Sequence, residues 1–153
     1  MITNKVFLDS SYVIAICSFN DRHYEKAKSI AIDIKKHNIK LITTHAVILE
    51  IANALSKKRY RHVAIQLIKS MESDPDITIV SYSEDLYKRA FKLYQERLDK
   101  EWGLTDCMSF LVMKDYDLRQ ALTADKHFQQ AGFRINSTIK NLPPAAFVGL
   151  SPL

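Results

Sequence analysis

The sequence predicts an α/β fold, one domain built on a parallel sheet, and three observations carry that prediction. Val6, Phe7 and Leu8 form a short strand-favouring run without the alternation of a half-wet sheet, which fits a strand buried on both faces. The run stops at Asp9–Ser10–Ser11, and a helical pattern begins at once. Further short apolar runs then alternate with amphipathic stretches, and one of them ends in Thr123 and Asp125, again a hydroxyl and a carboxylate. Ligands of open parallel sheets bind beyond the carboxyl ends of the strands, so Asp9 and Asp125 stand where such a fold places its chemistry.

In chain order, Ser11–Ser18 reads as a short helix and Asn20–Asp21 as a turn. Arg22–His37 is amphipathic, with Ala27, Ile30, Ala31 and Ile34 on its inner face. His23 and His37 have no ligand-like spacing and read as solvated or capping residues. Lys40–Thr43 is a second strand, and Thr43 or Thr44 starts a helix running from His45 to about Lys58. Val63–Met71 is helical, Asp74–Pro75–Asp76 turns, and Ile77–Val80 is a third strand. Ser81 with Glu84 forms a capping-box pattern for a helix over Asp85–Leu98, in which Tyr87, Phe91 and Tyr94 read as core or flank packing. Thr105 is positioned to cap an almost continuously apolar helix from Cys107. Gln120–Thr123 is a fourth strand, a short helix closes at Gly132, and Phe133–Ile135 is the last strand. The domain is expected over 1–140, with an irregular tail over 141–153 that carries Pro143, Pro144 and Pro152.

Composition excludes several function classes. Lys and Arg total 22 against 17 Asp and Glu, a net charge of +5 that favours polyanionic partners without specifying them. The 3 glycines, Gly103, Gly132 and Gly149, form no phosphate-cradling loop, so a mononucleotide or dinucleotide site is not expected. Cys17 and Cys107 lie in apolar runs and read as small buried hydrophobes, which fits a reducing cytoplasmic setting. No apolar run reaches the roughly 18 residues of a membrane span.

Four carboxylates are the candidate site, and each has a plainer reading. Asp9, like Ser10 beside it, also suits a helix cap. Glu50 points away from the stripe Ile48, Ile51, Ala52 and Leu55, but its far-face neighbours are Ala46, Asn53 and Ala54. Such small residues suit a pocket wall, with Asn53 one turn on as a hydrogen-bonding partner, as well as a surface position. Asp106 sits at a helix mouth, where the positive helix end favours its charge by roughly 0.3–1 kcal/mol whether or not it does chemistry. Lys57, Lys58, Arg59 and Arg61 surround Tyr60, a set that suits an RNA backbone and a stacked base but equally a solvated face. In a parallel sheet with right-handed crossovers the four acids can converge on one crevice. Carboxylates that close must share protons or hold cations, and an all-oxygen set suits Mg²⁺ or Mn²⁺, ions that activate water for phosphoryl chemistry.

Phe7–Leu8–Asp9–Ser10–Ser11, Leu49–Glu50–Ile51–Ala52–Asn53, Leu104–Thr105–Asp106 and Leu122–Thr123–Ala124–Asp125–Lys126–His127–Phe128 together resemble the PIN domain, most closely its VapC-like toxin ribonucleases. The resemblance runs from about residue 5 to about residue 135. It implies a three-layer α/β/α fold and a Mg²⁺- or Mn²⁺-dependent endoribonuclease whose acidic site is Asp9, Glu50, Asp106 and Asp125. Asp9, Asp106 and Asp125 are then the expected direct ligands. Ser11 or Ser10 and Thr123 are the expected supporting hydroxyls, and Ser109 stands where some members carry a further acid. His127 is expected to pack or cap near the site. The resemblance further implies an RNA substrate, a cognate antitoxin-like partner and a homodimer. Tyr12, Phe19, Tyr24 and Tyr60 are the aromatic residues considered for such contacts.

Two other classes fit part of the pattern. A haloacid-dehalogenase-like phosphatase needs a second Asp where Ser11 stands, and a receiver domain needs adjacent acids and a late Lys that are absent. A non-catalytic RNA- or protein-binding domain of the same fold differs from the nuclease only in lacking metal-dependent cleavage.

Overall fold

The short, buried apolar runs do form strands, and the strands form one sheet. The computed structural model describes residues 5–17, 32 and 34–136. The strands are β1 (Lys5–Leu8), β2 (Lys40–Thr44), β3 (Ile77–Val80), β4 (Gln120–Leu122) and β5 (Arg134–Asn136). They pair in the order β3-β2-β1-β4-β5, every pair parallel. The helices are α1 (Ser10–Cys17), α2 (His45–Ala54), α3 (Lys58–Ser73), α4 (Glu84–Glu96), α5 (Leu104–Asp115) and α6 (His127–Gln130). They cover the sheet in the three-layer α/β/α arrangement that the sequence led us to expect. Residues 18–31, among them Phe19, His23 and Tyr24, and the tail over 141–153, for which the sequence suggests a helix and an irregular segment, lie outside the described residues.

The strand order explains where a site can form. The chain steps outward from β1 to β2 and β3, then crosses to the other side of β1 to lay down β4 and β5. Right-handed crossovers in opposite directions put helices on opposite faces and open a crevice between β1 and β4 at their carboxyl ends. Leu8 pairs with Leu122, and Asp9 N donates to Leu122 O at 3.0 Å, so the residues after both strands are held side by side.

Several element ends differ from the sequence reading because capping chemistry overrides periodicity. Thr44 rather than Thr43 caps α2, accepting from Val47 N at 3.1 Å, while Thr43 Oγ1 donates to Leu8 O at 2.8 Å and braces the end of β1. The helix expected to reach Lys58 stops at Ala54, where Leu55 turns into the core, and Lys58 begins a separate helix. Ser83, not Ser81, caps α4 by accepting from Leu86 N at 3.0 Å. Thr105 is not a cap: Gly103 precedes α5, and Asp106 Oδ2 accepts the Gly103 N–H at 2.9 Å. Gly132 adopts φ +94 beyond α6, a left-handed turn that glycine enters without strain. No described helix is long and apolar enough to cross a membrane. Cys17 and Cys107 are free thiols, and burial pushes both up to about 11.

The core is continuous from the sheet into the helices that carry the crevice. Phe128 is fully buried, 5.9 Å from the Phe7 ring and 5.0 Å from the Phe110 ring, with Trp102 a further 5.0 Å from Phe110. This aromatic stack ties β1, α5 and α6 together directly beneath the strand ends. Truncating Phe128 to Ala should therefore cost about 3–5 kcal/mol of stability, read as a lower urea midpoint at unchanged slope. A loss below ~1 kcal/mol would mean that α6 is not anchored by this ring.

Candidate metal-binding active site

Asp9 is the innermost acid of the crevice. It follows β1, is only 4% exposed, and has one carboxylate oxygen fully engaged. Ser11 Oγ donates to Asp9 Oδ2 at 2.6 Å and Thr123 Oγ1 donates to the same atom at 2.7 Å. Ser11 N also lies 3.4 Å from that oxygen, so the capping and site readings of Asp9 are both met by one atom. The two hydroxyls are 2.9 Å apart and stitch α1 to the end of β4. Ala124 N then donates to Ser11 Oγ, and Asp125 N to Thr123 Oγ1, both at 3.0 Å. No hydrogen bond among the described residues reaches Asp9 Oδ1.

The other acids arrive from three different elements. Glu50, on α2, accepts from Ser10 Oγ at 3.2 Å through Oε1. Of the two hydroxyls beside Asp9, Ser11 thus contacts Asp9 itself and Ser10 contacts Glu50. Asp106 lies in the first turn of α5, its Oδ2 held by Gly103 N. Asp125 Oδ1 accepts from His127 N at 2.9 Å, which fixes the turn after β4. His127 Nδ1 lies 3.2 Å from Asp106 Oδ2 and 3.3 Å from Asp125 Oδ2, closer to both than a packing or capping role requires. Sequence reading passed over this contact because spacing shows that His127 follows Asp125 by two, not that the turn faces α5.

Other expected participants stand apart. Asn53 is exposed and makes no hydrogen bond to the acids. Ser109 is fully buried and donates to Thr105 O at 3.0 Å, so its hydroxyl is turned away from the crevice into its own helix. Lys57, Lys58, Arg59 and Arg61 are exposed around the start of α3. Arg59 lies over the Tyr60 ring at 4.6 Å, and Arg61 Nε donates to Ser56 O at 3.0 Å. Tyr12, considered an exposed aromatic, is buried in the core.

The electrostatics fit a cation. Among the described residues no Lys or Arg forms an ion pair with Asp9, Glu50, Asp106 or Asp125. The Glu50 carboxyl is pushed above its usual range, first by burial and next by the charge of Asp9. The Asp106 carboxyl is also raised, again chiefly by burial, although Gly103 N–H and His127 partly oppose the shift. Several oxygen donors, one oxygen of each of three Asp residues tied back by hydrogen bonds, and no Lys or Arg between them make a donor set suited to a hard divalent ion.

Comparisons with known proteins agree with this fold. The PIN-domain family model matches residues 6–134. The sarcin-ricin-loop-cleaving toxin VapC20 of Mycobacterium tuberculosis superposes with a TM-score of 0.69 at 20% identity, over 84% of this chain and 95% of that one. The VapBC2 structure of Rickettsia felis, solved on a promoter DNA fragment, gives 0.57 at 15% identity over 86% and 97%. FitAcB of Neisseria gonorrhoeae gives 0.52 at 16% identity over 85% and 95%. A search of curated protein sequences finds no significant match.

The raised carboxyls carry a stability consequence. In the metal-free protein Glu50 and Asp106 hold protons more tightly folded than unfolded. Stability must then fall as pH rises from the ordinary carboxylate range through their raised values. Glu50→Gln removes part of that penalty, discounted because Glu50 is partly exposed. In chelator at neutral pH the variant should melt higher than the parent, by about 2–4 °C for each kcal/mol relieved, with the difference vanishing in acid. Equal melting at every pH would show that neither burial nor the neighbouring acids penalise the ionised Glu50 carboxylate.

Proposed function

The chain belongs to the PIN-domain family, and on that premise we propose that it is a Mg²⁺- or Mn²⁺-dependent endoribonuclease acting as the toxin of a toxin–antitoxin pair. The observation that supports the reading is the grouping of Asp106, Asp125 and His127 within 4.8 Å, with Asp9 and Glu50 near enough to interact electrostatically and, among the described residues, no Lys or Arg paired to any of the four acids, at the switch point between β1 and β4. Asp9, Asp106 and Asp125 would hold the ion, which when bound neutralises charge on a phosphodiester and lowers the pKa of water. Asp9 is the fixed member, because Ser11 and Thr123 leave its carboxylate one orientation. Glu50, with its raised affinity for a proton, orients the attacking water from the α2 side. Hydrolysis in line leaves a 5′-phosphate and a 3′-hydroxyl. The sarcin-ricin-loop activity of the Mycobacterium tuberculosis neighbour supports RNA as the substrate. Lys57, Lys58, Arg59 and Arg61, with Tyr60 packed among them, are the proposed track for its backbone. A cytoplasmic setting follows from such a substrate.

The same crevice suits an inhibitor. An Arg from a cognate antitoxin-like partner would pair bidentately with the uncompensated acids and exclude the ion. A second copy of the chain is the other proposed partner, and an exposed apolar stripe supports it. Tyr82, Tyr87, Phe91 and Tyr94 lie on the surface with successive ring centroids 6.3, 6.1 and 6.3 Å apart, beside exposed Leu49. Of the core or flank packing expected for Tyr87, Phe91 and Tyr94, the core alternative is excluded by their exposure. Leu86, Ala90 and Leu93 fill the inner positions of α4 instead. Between the stripe and Met108 runs a groove of about 320 Å³ that a partner's side chains would fill.

Asp9→Asn and Asp106→Asn should each lower metal-dependent cleavage of single-stranded RNA at least ~100-fold while the protein stays folded, since losses one shell further out already cost ~10–100-fold. Near-normal cleavage by a folded variant would remove that residue from the mechanism, and no cleavage by the parent with any divalent ion would leave a binding domain. In sedimentation, Phe91→Glu should convert a dimeric parent to monomer without changing its fold. A monomeric parent would return the stripe to plain surface.

A further inference from the structure

We propose that His127 supplies a nitrogen ligand to the metal site, so that the site favours transition-metal ions such as Mn²⁺ and Co²⁺ over Mg²⁺. The inference rests on the metal-dependent reading above and specifies which ion that reading involves. Its basis is the distance set. One donor atom each from Asp106, Asp125 and His127 lies within 4.8 Å of the other two. His127 Nδ1 stands 3.2 Å from Asp106 Oδ2 and 3.3 Å from Asp125 Oδ2. Adjacent ligands on an octahedral ion with bonds of about 2.1 Å are about 3 Å apart. The two measured separations are therefore close to the edges that neighbouring ligands on a single ion present.

A hydrogen bond alone accounts for the arrangement less well. The Nδ1 contact with Asp106 Oδ2 has hydrogen-bond geometry, but the approach of the same nitrogen to Asp125 Oδ2 at 3.3 Å does not, so one hydrogen bond explains one of the two short distances. The backbone that carries the ring is held apart from the Nδ1 contacts. His127 N donates to Asp125 Oδ1 at 2.9 Å, and Phe128, the next residue, is locked beneath it between Phe7 and Phe110. Asp106 Oδ2 is tied separately to Gly103 N, so the α5 carboxylate is in place without the imidazole. Mg²⁺ takes oxygen donors almost exclusively, whereas imidazole raises affinity along the transition-metal order.

The test uses the full chain with ¹⁵N-labelled histidine, loaded with Mn²⁺ and read by pulsed electron paramagnetic resonance. Direct ligation gives a coupling to one imidazole nitrogen, which His127→Asn and His127→Gln abolish. In those variants, checked for folding by circular dichroism, Mn²⁺ affinity should fall about 10-fold or more while Mg²⁺ affinity shifts by less than about threefold. Absence of the coupling in the parent overturns the inference, as does its survival in the variants. Parallel weakening of both ions does the same, since it marks a residue acting only through Asp106 and Asp125; the nuclease reading survives each of these results. If neither ion binds the parent, the metal-dependent reading itself fails and takes this inference with it.

Discussion

A single buried carboxylate constrains the rest of this molecule. Asp9 sits at the carboxyl end of the central strand, nearly without solvent and with no Lys or Arg beside it. Removing such a charge from water costs several kcal/mol. Hydrogen bonds from Ser11 and Thr123, each contributing about 1.5–3 kcal/mol to a charged acceptor, offset part of that cost. They also fix geometry, because one comes from α1 and the other from the residue after β4. The same two hydroxyls then receive the N–H groups of Ala124 and Asp125, so the turn that presents Asp125 is built outward from Asp9. A site assembled this way depends on the β1–β4 register: slipping Leu8 past Leu122 would separate Asp9 from Thr123.

The remaining acids are carried by helices whose packing has its own causes. Asp106 is held by the start of α5, and α5 is held by Phe110 and Trp102 against α6. Glu50 rides on α2, whose Val47, Ile48 and Ile51 are buried. Packing thus draws the carboxylates out of water, and the raised proton affinities of Glu50 and Asp106 register first that burial and next the charge of the neighbouring acids. Such a cluster is a destabilising element retained in a well-packed scaffold. A divalent ion, or the basic side chain proposed for a partner, would offset that cost and so link occupancy of the site to stability of the fold.

Much was legible in the sequence because its signals were local. An apolar run ending in Asp9–Ser10–Ser11 needs only strand length and turn chemistry to be read, and the same holds for Thr123 and Asp125. Asp106 at a helix mouth follows from the apolar segment after it. Glu50 was legible through its small neighbours Ala46 and Ala54. The parallel sheet followed from short apolar runs separated by helical ones. What lay at single-residue resolution was less secure: Ser83 replaced Ser81 as a cap, and Gly103 with Asp106 replaced Thr105, because several residues near each boundary had suitable side chains.

Sequence by itself therefore determined the strands, their alternation with helices, and the residue types that stand beyond the strand ends. Tertiary structure decided which side chains meet. On α4 the sets Leu86, Ala90, Leu93 and Tyr87, Phe91, Tyr94 share one helical spacing and differ by a single residue, so periodicity cannot say which faces the core. Only the packing of α4 beside α5 places the first set inside and leaves the aromatic set outside. Likewise His127 and Asp106 are 21 residues apart in sequence, and nothing local in either signals the other. Their contact exists because the chain crosses from β3 over to β4, and that crossing is a property of the whole sheet.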